Sequence, residues 1–221
     1  MPDVAYQLLM LPPAALPLVA LPTKLESISF QSIHNQQGDD LARQLIASSS
    51  ETLRHVIVSN ATIEPPEELG VMFQPIAVTL ESLSYYLIQR TPHALVAGIH
   101  AIPTLKHLIM PVDILRTPVV LAALVAKAAN PAHAELECLT VGAEEYHRIN
   151  SRAPKVMPAR RLRLMELARV VKVGKVRIGR AMAEATEGFA EELERRGVAL
   201  ELVEEEEHVK GEQRSKRWVW H

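Results

Sequence analysis

Apolar and variable residues alternate in five short segments of the chain: TKLESISF, ETLRHVIV, VTLESLSY, PTLKHLIM and AELECLTV. All five fit one pattern, L-x-x-L-x-L. The first apolar slot holds Leu25, Leu53, Leu80, Leu105 and Leu136, the middle slot Ile28, Val56, Leu83, Leu108 and Leu139, and the last Phe30, Val58, Tyr85, Met110 and Val141. Successive copies begin 28, 27, 25 and 31 residues apart. Alternation with period two predicts a strand, and a unit recurring at this interval predicts a solenoid of stacked strands.

Between these segments the apolar spacing changes to that of a helix. Leu41, Leu45 and Ile46 follow Asp39-Asp40; Leu69, Met72, Phe73 and Ile76 follow Pro65-Pro66-Glu67-Glu68; Leu95, Val96 and Ile99 follow Thr91-Pro92; and Val120, Leu121, Leu124 and Val125 follow Thr117-Pro118. A threonine hydroxyl before a first-turn proline can cap free helix amides, and carboxylates favour the positive helix end. Asn130-Pro131 is expected to close the fourth helix. The predicted fold is α/β: a solenoid of short parallel strands on a concave face, with helices on a convex face. One repeat cannot bury its own leucines, so each relies on its neighbours, and each buried leucine-class side chain contributes roughly 1.5–3 kcal/mol.

Stacking converts the variable slots into ladders across the sheet. The slot after the first leucine reads Glu26, Arg54, Glu81, Lys106 and Glu137, alternating in sign at each step. Opposite charges on adjacent strands are compatible with that neighbour order, whereas like charges are not. The next slot reads Ser27, His55, Ser82, His107 and Cys138. Outward positions of the concave face comprise His55, Ile57, Ser82, Ser84, Tyr86, His107, Ile109 and Thr140. An apolar and aromatic row of this kind suits protein binding.

Beyond Gly142 the interval loosens. The alternation Arg161-Leu162-Arg163-Leu164 suggests a sixth strand, and Met182, Ala185, Phe189 and Leu193 suggest a long helix from about Ile178 to Arg196 that ends at Gly197. A last strand is expected over 198–203, with a polar, flexible tail over 204–221. Residues 1–24 read as an N-terminal cap or partial repeat before a repeat domain over 25–203. Charge falls in blocks here: residues 152–180 hold ten Lys or Arg and one acid, and residues 181–207 hold ten Glu and two Arg. The two blocks can neutralise one another. Alternatively, Arg160, Arg161, Arg163, Arg169, Lys172 and Lys175 form a patch for nucleic acid or another acidic partner, although that stretch is poor in the aromatics that stack bases.

The 221-residue chain has a net charge of −2, so no global pull toward nucleic acid or membrane exists. Its first 22 residues are apolar, but Pro12, Pro13, Pro17 and Pro22 interrupt them, and Asp3 stands where a signal peptide is basic. The single cysteine, Cys138, fits an intracellular setting. His55 and His107 are expected one strand apart, about 9–10 Å, too far to share one zinc ion. His107 beside Cys138 has the positions of a base and a nucleophile, but Glu135 and Glu137 flank the thiol and disfavour its thiolate. No nucleophile elbow, phosphate loop or H-E-x-x-H pair is present in the sequence. The expectation is therefore a non-enzymatic protein with no cofactor and no metal.

The five motifs, their interval and the closing GFAEELERRGVALELVE resemble leucine-rich-repeat proteins of the F-box and ribonuclease-inhibitor-like kind, in particular the repeat region of F-box-like proteins of mushroom-forming fungi. The resemblance spans about Leu25 to Val203. It implies a repeat surface that holds a protein substrate, with the adaptor of a ubiquitin ligase bound through an N-terminal F-box. Only 24 residues precede the first repeat, and no three-helix pattern lies among them. Adaptor binding would thus need a further N-terminal segment.

Overall fold

The structure is a computed structural model that describes residues 24–31, 36–59, 67–86, 92–142, 157–180, 182, 186, 188–203, 206–210 and 213–217. Each L-x-x-L-x-L segment supplies a strand: β1 (Ser27–Gln31), β2 (His55–Ser59), β3 (Ser82–Tyr86), β4 (His107–Pro111) and β5 (Leu136–Gly142). Two more follow, β6 (Val173–Gly179) and β7 (Ala199–Val203). All seven are parallel and pair strictly in sequence order. The register is the one the motif demands. Ile28, Val56, Leu83, Leu108, Leu139, Val176 and Leu200 form one row across the sheet.

Among the described residues, six helices alternate with the strands: α1 (Gln36–Ser48), α2 (Glu67–Phe73), α3 (Pro92–Ala101), α4 (Pro118–Ala129), α5 (Met157–Val170) and α6 (Phe189–Arg195). When parallel strands pair with their sequence neighbours, right-handed crossovers return over the same face. The leucine row and the helices accordingly share one core. It holds Leu45 and Ile46 of α1, Met72 and Phe73 of α2, Leu95 and Ile99 of α3, Val120 and Leu124 of α4, Leu164 and Leu167 of α5, and Phe189 and Leu193 of α6.

Two backbone devices repeat with the motif. In the charged slot, one carbonyl accepts two amides of the next strand: Glu26 from Arg54 and His55, Arg54 from Glu81 and Ser82, Glu81 from Lys106 and His107, and Lys106 from Glu137 and Cys138. One residue before the leucine, a threonine hydroxyl donates back to the preceding repeat. Thr52 bonds the Leu25 carbonyl at 2.8 Å, Thr79 that of Ser50 at 2.9 Å, and Thr104 those of Leu80 at 2.7 Å and Ala77 at 2.9 Å. Among the side chains of the charged slot, Lys106 and Glu137 pair at 3.2 Å, while Arg54 donates instead to the Thr79 carbonyl at 2.9 Å.

Helix ends behave in part as expected. Thr117 is the N-cap of α4 with Pro118 behind it, but its hydroxyl makes no capping bond; its carbonyl accepts the Val120 amide. Asn130 closes α4. Gly197, at φ 72°, ends α6: its amide bonds the Glu194 carbonyl while the Val198 amide bonds that of Leu193, the paired closure that a left-handed glycine permits.

The C-terminal third departs from expectation. Residues 161–164 lie in α5, not in a strand. Leu164, Leu167, Ala168 and Val171 are buried at helical spacing, and Leu162 is 61% exposed, the reverse of what a buried strand row requires. Strand six is instead Val173-x-x-Val176-x-Ile178, a further copy of the motif that starts 37 residues after Leu136. Ile178 is buried within that strand, so the long helix shrinks to α6. The expected flexible tail contains an antiparallel hairpin, β8 (Glu206–Lys210) with β9 (Gln213–Arg217). The N-terminal cap, the Thr91 helix start and Trp218 and Trp220 lie outside the described residues.

Candidate functional site

The sheet face opposite the leucine row carries two ladders. One runs Ser27, His55, Ser82, His107, Cys138, Lys175, Ala199, and the other Ser29, Ile57, Ser84, Ile109, Thr140, Arg177, Glu201. The predicted surface residues therefore do sit on one face, in adjacent strands. Tyr86 continues β3, its backbone in register with Ser59.

Their exposure divides these positions into an open and a covered set. His55 is exposed and Ile57 half-buried, and His107 is part-exposed. Ser82, Ser84, Ile109 and Thr140 are buried, Ile109 to 1% and Ser84 to 2% exposure. Parallel sheets are commonly covered on both faces, and the small and apolar side chains of these central slots suit a covered position. The face is open at β2 and again at β6 and β7, where Lys175, Arg177 and Glu201 are half-buried.

The chemistry of the centre is quiet. Burial pushes the Cys138 thiol up, against the opposing influence of Arg177, a bond to Thr140 and Lys175. The thiol lies 4.0 Å from the Thr140 hydroxyl. Burial is the largest influence against the thiolate, and Glu201 adds to it; of the two flanking glutamates, Glu137 is engaged with Lys106. His107 stands beside Cys138 in register, and its Nε2 is 3.8 Å from Glu137. Burial lowers the His107 pKa, with Glu137 opposing and His55 and Lys106 adding to the fall. A protonated thiol beside a base that resists protonation is a poor nucleophilic pair. His55 and His107 are separated by β3 as expected. Among the described residues, no group of three or more His, Cys, Asp or Glu could hold a metal ion. No helix among them is long and apolar enough to cross a membrane.

The six candidate patch cations do not form one surface. Arg160 is 1% exposed, and its NH2 group donates to Asp113 Oδ2 at 3.1 Å. Arg163 donates to Asp113 Oδ1 at 3.3 Å. Lys175 and Arg177 both hold Glu201, at 3.3 and 2.9 Å. These bonds keep the Glu201 carboxyl below its ordinary range, Arg177 contributing most. Arg161, Arg169 and Lys172 are exposed. Block neutralisation therefore holds for β6 against β7, whereas α5 turns Arg160 and Arg163 toward an unforeseen acid.

Two functional-looking residues escaped sequence reasoning. Asp113 lies in a 3-10 turn, Val112–Arg116, just after β4, and is buried. Lys127 occupies the inward stripe of α4 with Val120, Ala123 and Leu124. Its amine is buried, lies 3.4 Å from the Pro103 carbonyl and 3.5 Å from that of Ile102, and is lowered by burial from 10.5 to about 8. A lone charge on an otherwise apolar helical stripe was the legible signal in each case, for Lys127 directly and for Asp113 through Arg160, which shares a stripe with Leu164 and Leu167. Compared with family models, curated proteins and solved structures, the chain matches none of them.

Proposed function

We propose that the chain is a leucine-rich-repeat solenoid serving as a non-enzymatic, intracellular protein-recognition scaffold, on the pattern of the substrate-binding repeats of an F-box-type ubiquitin-ligase receptor. One observation carries this reading. Seven parallel strands pair in sequence order in the register of the repeated motif, which lines up side chains of successive repeats as one surface. The inactive setting of Cys138 and His107 supports binding over catalysis. The contact centres on the open part of the face at β2, where exposed His55 adjoins half-buried Ile57.

A photo-crosslinking residue placed at His55 tests the reading against one at Val78, an exposed apolar position outside the strands. Partner adducts are expected at 55 and not at 78. Equal labelling at both positions, or labelling at 78 alone, counts against recognition through the strand face.

A further inference from the structure

Three guanidiniums and one carboxylate meet where the turn after β4 touches α5. Asp113 Oδ2 accepts from Arg160 at 3.1 Å, and Oδ1 accepts from both Arg116 at 3.2 Å and Arg163 at 3.3 Å. Among the described residues, Asp113 is the one acid that these arginines share, so the cluster holds two positive charges in excess. A lysine could shed such an excess by losing its proton, but a guanidinium cannot. Arg163 registers the crowding: burial, then Arg116, and to a lesser degree Arg160 disfavour its charge, with Asp113 opposing them.

The three are graded from core to solvent. The Arg160 side chain is 1% exposed and its Nε has no hydrogen-bond partner, that of Arg163 is 17% exposed, and that of Arg116 56%. Asp113 spends its two oxygens fixing the orientation of all three forks, and each fork keeps further N–H donors. A fixed guanidinium matches two oxygens of one anion at once.

We propose that this cluster binds a small tetrahedral dianion of the phosphate class, seated between Arg116 and Arg163 with Arg160 behind them. Two negative charges equal the excess, and the tetrahedral anion offers oxygens to both outer forks. The site is distinct from the strand face and stands whether or not that face binds a protein.

Thermal unfolding of the full chain, in inorganic phosphate and in chloride at matched pH and ionic strength, tests it. Phosphate above its dissociation constant is expected to raise the melting temperature by about 2–4 °C relative to chloride. Arg116→Gln removes an exposed donor and leaves the buried Asp113–Arg160 pair intact, and it is expected to abolish that increment. Arg169→Gln, elsewhere on α5, is expected to retain it. Calorimetric titration then compares inorganic phosphate with a sugar phosphate: tighter binding of the ester identifies an organic phosphate as the source, and tighter binding of the free ion identifies phosphate itself. Equal melting in phosphate and chloride overturns the proposal, as does an undiminished phosphate increment in Arg116→Gln.

Discussion

The strands from β1 to β5 and the block from α5 to β7 belong to one sheet but are joined by different means. In the first region the ties between neighbours recur with the motif: forked carbonyls in the charged slot and threonine hydroxyls on the preceding repeat. In the second, the side-chain ties do not recur with the motif, and ion pairs lead them: Arg160 and Arg163 on Asp113, Lys175 and Arg177 on Glu201. Arg196 adds a bond to the Ala168 carbonyl. Yet the leucine row crosses both regions without a break in register. Strand register is thus set by the apolar row, because a one-residue slip would turn every side chain to the other face. The interval between copies is free to vary with the length of the connection.

Removing the ionic tie should cost most. Asp113→Ala strands Arg160 in the core, and breaking a buried pair from one side costs about 3–5 kcal/mol. Urea unfolding should show this loss, and Asp113→Ala combined with Arg160→Met should recover most of it. A double variant no more stable than the single one would show that the cost lay in the turn and not in the stranded charge.

Lys127 gives a second handle on the regular region. Its folded pKa, about 8, lies below the ordinary 10.5. Between those values the unfolded chain binds more protons than the folded one, so stability should rise with pH through that window, by up to roughly 3 kcal/mol. Lys127→Met should flatten the rise, as read from urea unfolding at pH 8 and pH 10. A slope identical in both proteins would place the titration elsewhere.

The repeating tie is the smallest of the three. Thr104→Val removes the one hydroxyl donor shared by the Leu80 and Ala77 carbonyls of the preceding repeat while keeping the shape, and should cost about 1 kcal/mol in the same assay. A loss equal to that of Asp113→Ala would erase the distinction between the two regions.

The parallel strands and their order were legible because Leu25, Leu53, Leu80, Leu105 and Leu136 repeat at a nearly constant step. Strand six escaped for the same reason: Val173 comes 37 residues after Leu136, beyond the 25–31 residue steps of the other copies, although Val173, Val176 and Ile178 fit the motif. Arg161-Leu162-Arg163-Leu164 misled because two arginines and two leucines satisfy period two and also sit on a helix that buries only Leu164 fully. The shared face of His55, Ile57, Ser82, Ser84, His107, Ile109 and Thr140 followed from alternation alone. Their burial did not, since alternation fixes which way a side chain points and not what covers it. The Asp113 cluster joins residues 47 and 50 positions apart, and no local pattern encodes such a meeting.

The central claim is the sequential register of the strands, and a single introduced thiol tests it most directly. Position 107 is in register with Cys138 on the adjacent strand, at a spacing of about 4.8 Å, within reach of a disulfide. Position 55 is two strands further away. Refolding under mild oxidation should join the new thiol to Cys138 within the chain in His107→Cys and leave it unjoined in His55→Cys. Intrachain bridging in His55→Cys with none in His107→Cys would contradict the strand order.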